Sequence, residues 1–226
     1  MAYKTGIRNN GTSSTPSVTV PGGIAAGDIV IIGVTGNVQA DTPTPTGFTQ
    51  FGSSGTLTVN SETSSLWWKR ATGPDSGTYA FTGGSWGAGT LWIVLVAVFS
   101  GRDPDESPEN TLNINDVAVA SPATTIATGV TALNGDDLLH YAVTASSGIA
   151  TGFDGPLFWI AEQGFSGTGG HAAAFCVKQN VAAGPTGDIT DVGYANTTMA
   201  WQTWLVRIPA PVVQLSLVGY TRRAGG

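Results

Sequence analysis

Little in this sequence is charged. Lys, Arg, Asp and Glu make up 11% of its 226 residues, against about 25% in ordinary soluble domains. Surface polarity must therefore come from Ser, Thr, Asn and the backbone. The balance is acidic, net −6, and basic residues adjoin only at Lys69-Arg70 and at Arg222-Arg223 in the tail. Neutralising phosphates takes clustered Lys and Arg, so a nucleic-acid partner is not expected. A single cysteine, Cys176 in "AAAFCVKQ", rules out an intramolecular disulfide and reads as a buried strand thiol. With two histidines, His140 and His171, any triad or histidine metal centre would have to use them. No G-x-S-x-G elbow, H-E-x-x-H pair or phosphate loop occurs. The longest apolar run, "LWIVLVAVF" at 91–99, is about half of a membrane-spanning helix and reads as a core strand. Met1 to Arg8 lacks the apolar stretch of a signal peptide. The expectation is a soluble chain, made without export, with no membrane partner and no cofactor.

What is present belongs to a β-protein. Gly numbers 32 and Pro 12, and they interrupt most windows in which helical periodicity could build. Hydrophobic residues reach 41%, with seven Trp and eight Phe, enough to offset chain entropy by burial. Period-2 and all-apolar runs predict strands near 16–21, 28–35, 47–51, 56–60, 64–70, 78–82, 90–100, 110–119, 137–145, 157–163, 171–179 and 199–208. The fold class expected is an all-β, antiparallel β-sandwich, jelly-roll-like. Adjacent strand residues point to opposite faces, so of Trp67 and Trp68 only one can enter an inter-sheet core. "LWIVLVAVF" is apolar at both parities, the mark of a strand covered on both sides. Its outer cover would be a long loop, a terminal arm or another subunit.

Three stretches echo each other about 108–111 positions apart. "AAGDIVIIGVTG" at 25–36 matches "LNGDDLLHYAVTA" at 133–145. "LWWKRATGPDSGTYAFT" matches "AFCVKQNVAAGPTGDITDV", and "GTLWIVLVAVFSGRDP" matches "TTMAWQTWLVRIPAP". The expectation is a sandwich domain over 16–208 in two related halves, 16–120 and 121–208. Polar residues 1–15 and residues 209–226 read as arms. The second arm leaves through Pro209 and Pro211 and carries Val212, Val213, Leu215, Leu217, Val218 and Tyr220, a strand pattern without a home. Such a tail adds to a neighbour's sheet edge or pairs within its own subunit, and is expected to serve assembly.

Candidate chemistry is sparse. "GRDPDESPEN" at 101–110 gathers Asp103, Asp105, Glu106 and Glu109, an oxygen-rich loop of the kind that holds calcium, but its spacing lacks the EF-hand pattern and Pro104 and Pro108 stiffen it. A solvated acidic turn is the plainer reading. His140 and His171 sit on predicted strands and read as solvated or hydrogen-bonded edge histidines. "TGGSWGAGT" at 82–90 reads as a flexible hairpin tip that carries Trp86, the tryptophan most open to ligand contact, for example with a sugar ring.

In the first half, "TVPGGIAAGDIVIIGVTG", "PTPTGFTQF", "LWWKRATGPDSGTYAFTG" and an apolar strand ending "VAVFSGRDP" follow one another. That succession resembles β-sandwich proteins of tailed-bacteriophage structural modules. The resemblance implies a non-enzymatic virion component, made in the host cytoplasm, of the capsid-decoration, head-fibre or tail-associated type. Its partners would be other virion proteins and further copies of itself. The alternative is a carbohydrate-binding module that presents Trp86 to a host surface glycan.

Overall fold

The computed structural model describes the backbone of residues 3–38, 40–57, 61–103, 105–119, 123–146, 150–154, 159–166, 171–195 and 199–211. Every regular element among them is a strand. In the first half these are β1 (Tyr3–Thr12), β2 (Val18–Thr19), β3 (Ile29–Gly36), β4 (Thr44–Pro45) and β5 (Thr49–Gln50). They continue with β6 (Gly55–Leu57), β7 (Glu62–Arg70), β8 (Thr78–Tyr79), β9 (Phe81–Thr82) and β10 (Leu91–Phe99). The second half supplies β11 (Glu109–Val119), β12 (Ala123–Ala127), β13 (Thr131–Ala132), β14 (Asp137–Ser146) and β15 (Ala150–Asp154). It ends with β16 (Trp159–Ser166), β17 (His171–Lys178), β18 (Gly184–Pro185), β19 (Ile189–Ala195) and β20 (Met199–Ile208).

Two antiparallel sheets face each other. One has the order β1-β10-β3-β7-β5, with β6 also on β7; the other has β11-β20-β14-β17-β16. Each sheet takes its strands from one half of the chain, so the pairings give a sandwich of paired halves. The two orders correspond strand for strand, because β1·β10, β10·β3 and β3·β7 in one match β11·β20, β20·β14 and β14·β17 in the other. The correspondence extends to the turns. Asp28 N–H donates to Ala25 O, and Ala25 N–H to Asp28 Oδ2. Asp136 and Leu133 repeat both bonds, and Gly27 and Gly135 supply matching φ values of 88° and 90°. Only glycine takes that conformation at no steric cost. The boundary between halves lies between β10 and β11. Residues 109–119, read from sequence with the first half, pair instead with β20.

Inner positions alternate with outer ones. Ile29, Ile31, Leu66, Ile93, Leu95 and Phe99 meet Leu139, Tyr141, Phe175, Trp204, Val206 and Ile208 in one inter-sheet core. Tyr141 stacks on Trp204 at 5.1 Å and meets Phe175 edge-on at 5.1 Å. Gly33 makes room for this group: a Cβ there would lie 2.8 Å from Tyr141 Cζ and 3.0 Å from Phe175 Cε1. Gly33→Ala is expected to cost about 1–3 kcal/mol through overpacking, measured by urea unfolding. An unchanged midpoint would show that the rings move aside freely.

Trp68 packs against this inner core and Trp67 lies on the outer face. There, Val30, Ile32, Val34, Trp67, Val94, Val96 and Val98 are roofed by Val18, Ile24, Tyr79, Phe81 and Trp86, contributed by the small pairings β2·β8 and β4·β9 and their loops. In the second half the three-stranded sheet β12-β19-β15 stands in the corresponding place. The chain thus covers its own outer faces. Among the described residues Leu133, at 53% exposure, is the one exposed large hydrophobic side chain.

Residues 1–15, read as an arm, include a full strand. Tyr3–Thr12 pairs along the length of β10, from Tyr3↔Phe99 to Thr12↔Leu91. Its sequence hides this because an edge strand with a half-exposed face needs few apolar side chains. Residues 212–226, and with them Val212, Val213, Leu215, Leu217, Val218 and Tyr220, lie outside the described residues.

Candidate functional site

Polar side chains gather at both ends of the sandwich. At one end the loop after β10 closes an ionic cluster. Arg207 Nε donates to Asp136 Oδ2 at 2.6 Å, while its two terminal nitrogens reach Glu106 at 2.9 Å and Glu109 at 3.0 Å. Arg102 meets Asp137 at 3.0 Å with both side chains buried. Asp103 Oδ1 accepts the N–H groups of Asp105 and Glu106, and Arg70 of the other sheet donates to Glu106 O. The acidic loop is solvated at Asp105 and Glu109, but it is also ordered from within: Asp103 folds it, and Glu106 and Glu109 reach the Arg207 guanidinium. Burial works against the charge of Arg207, but Asp136, Glu109 and Glu106 outweigh it and push its pKa up. Burial dominates at Arg102, whose pKa falls despite Asp137 and Asp136. It dominates at Asp137 too, whose pKa rises against the Asn180 N–H and Arg102. Among the described residues no three His, Cys, Asp or Glu side chains are grouped to hold a metal ion.

The same cluster grips the chain where β20 ends. Ala210 N–H donates to Asp136 Oδ1 at 2.8 Å, and Asp103 N–H to Pro209 O at 3.2 Å. Asp136 and Asp103 thus hold the chain at Pro209 and Ala210.

The residues singled out in the sequence fare differently. Trp86 is 6% exposed, and its ring covers Gly36 so closely that a Cβ there would lie 2.7 Å away. The Gly-rich stretch folds back onto the sheet, so Trp86 is a roof residue and no ligand platform. His140 is fully buried on the central strand β14, not at an edge, while the His171 side chain lies outside the described residues. Cys176 is buried, as expected. A cleft of about 240 Å³ opens beside Lys178, lined by Leu138, Val181, Pro185 and Thr186. The corresponding Lys69 lies over the rings of Phe48 and Tyr79 and pairs with Asp75.

No family model, curated protein or solved structure matches this chain. Its chemistry has to be read from the residues themselves.

The opposite end holds an arrangement that sequence reading missed. On β7, Glu62 and Ser64 share the inward parity of Leu66 and Trp68. Thr35 of β3 lies opposite Ser64 in the register and donates to Glu62 Oε1 at 2.5 Å. From the other sheet come Gln202 and Trp204 of β20 and the Tyr141 hydroxyl. Gly55, paired with Ser64, lets Gln202 lie directly on the β6 backbone: a Cβ there would fall 1.7 Å from Gln202 Oε1. All of these side chains are essentially inaccessible to solvent. Yet Glu62 Oε2, Ser64 Oγ, Tyr141 Oη, Trp204 Nε1 and both amide atoms of Gln202 have no hydrogen-bond partner in the protein. Leaving one such group bare costs about 1–3 kcal/mol, so six would consume most of a domain's stability of about 5–15 kcal/mol. Burial raises the Glu62 pKa far above the carboxylate range, with Thr35 opposing, and burial followed by Glu62 raises that of Tyr141.

Proposed function

We propose that this chain is a non-enzymatic structural subunit of a bacteriophage virion, of the capsid-decoration, head-fibre or tail-associated type, which joins its neighbours by strand addition through residues 212–226. The observation that carries the assembly mode is the position of β1 at the end of its sheet among the described strands. Ten residues, Tyr3–Thr12, pair with β10 on one side and with no strand on the other among the described residues. Such an edge offers a row of N–H and C=O groups to an incoming strand. The apolar alternation of Val213, Leu215 and Leu217 is a sequence pattern of the kind that suits such an edge, and Asp136 holds the preceding Ala210. The virion assignment itself rests on the motif succession of the first half.

Assembly through an apolar sheet face is not part of this reading, because the chain roofs those faces itself. The glycan alternative loses its platform with Trp86 buried. Deleting residues 212–226 is expected to leave the thermal unfolding of the sandwich nearly unchanged. Self-association in analytical ultracentrifugation and incorporation into particles should both fall at least tenfold. Full incorporation of the shortened chain would overturn the proposal.

A further inference from the structure

The six unpartnered atoms at the end of the sandwich belong to buried side chains at inward positions of both sheets. We propose that they enclose a chamber that binds ordered water, which bridges Glu62 and Ser64 of one sheet to Tyr141, Gln202 and Trp204 of the other. Water is the ligand whose hydrogen-bonding capacity matches the set. Trp204 Nε1 and Gln202 Nε2 only donate, Gln202 Oε1 only accepts, and the Ser64 and Tyr141 hydroxyls do either. A hard cation wants an all-oxygen shell with several carboxylates, and here it would meet two N–H donors and one acidic side chain. An anion would meet Gln202 Oε1 and Glu62. A buried water donates and accepts at once, makes about three hydrogen bonds, and occupies polar sites of this kind.

The position gives the water a structural task. The sheets come from different halves of the chain, and their inner faces otherwise touch through apolar side chains, which fix distance better than relative position. Water bonded to Glu62 and Ser64 on one side and to Gln202 on the other ties the two faces at a defined offset. Because the lining side chains are sealed from solvent, this water exchanges only when the structure around it opens.

The test is a crystal structure of the full chain at a resolution that shows water, with elemental analysis of the dialysed protein. Expected are water peaks about 2.7–3.2 Å from Glu62 Oε2, Ser64 Oγ and the Gln202 amide, and no bound metal. A dry chamber in which these atoms have turned to pair with one another overturns the proposal, as does a metal ion at that place. In solution, long-lived water should give nuclear Overhauser cross-peaks to the Gln202 side-chain amide and the Trp204 indole N–H. Their absence in the unmodified protein would count against it equally. Ser64→Val, which fills the space with methyl groups, should abolish those cross-peaks, and their persistence in a folded Ser64→Val protein would also overturn it.

Discussion

Asp136→Ala should lower the stability of the sandwich by about 3–5 kcal/mol, the range found when one member of a buried ion pair is removed. The carboxylate accepts from Arg207 Nε, from Leu133 N–H and from Ala210 N–H. Without it, Arg207 stays buried, held only by Glu106 and Glu109, which are 38% and 64% exposed. The first half supplies the control. Asp28 closes the same turn, but its cation, Lys4, is 31% exposed. Asp28→Ala loses one turn bond and a solvent-screened pair, so about 1–2 kcal/mol is expected. Urea unfolding of both variants measures the difference. Equal losses would show that the turn matters and the buried guanidinium does not.

Glu62→Gln should become progressively more stable than the parent as pH rises. In the unfolded chain Glu62 loses its proton in the ordinary carboxylate range, while in the folded chain burial holds that proton to much higher pH. Between those two values unfolding releases a proton. The parent's contribution from this group is complete below the unfolded pKa and is lost as pH climbs through the folded one. The slope is about 1.4 kcal/mol per pH unit. Glutamine cannot ionise and keeps a carbonyl oxygen for the Thr35 hydroxyl. The stability difference should therefore be flat near pH ~4 and widen toward pH ~7. A difference constant across that range would mean that Glu62 is ionised in the folded protein.

The long strands were legible because burial on both faces leaves a plain mark. Ile29–Gly36, Leu91–Phe99 and Met199–Ile208 are apolar at both parities, and sequence places each within a residue or two. The echoes between halves were legible as well, since the Gly27-Asp28 and Gly135-Asp136 turns need the same residues for the same backbone. Strand β1 was hidden, because an edge strand with Arg8, Asn9 and Asn10 half in solvent has the composition of a loop. Trp86 was misplaced because its flanking glycines look flexible, whereas the deciding residue is the distant Gly36 that receives its ring. The polar chamber was the least visible. Glu62, Ser64 and Gln202 look like solvent-facing residues one at a time. Only the register, which sets Thr35 opposite Ser64 and Gly55 beside it, turns them inward together. The parity of Glu62 and Ser64 with Leu66 and Trp68 was the one available signal.

In each half the first long strand is partnered by the last: β1 by β10, and β11 by β20. On the ribosome, the segment that emerges first must wait unpaired until the far end of its own half has been made. Each half thus closes late and as a unit, and the second sheet, needed to dry the first, arrives only after the first has been made. During that interval the two cations Lys4 and Arg8 and the polar side chains of Tyr3–Thr12 keep a long unpaired strand from sticking to others.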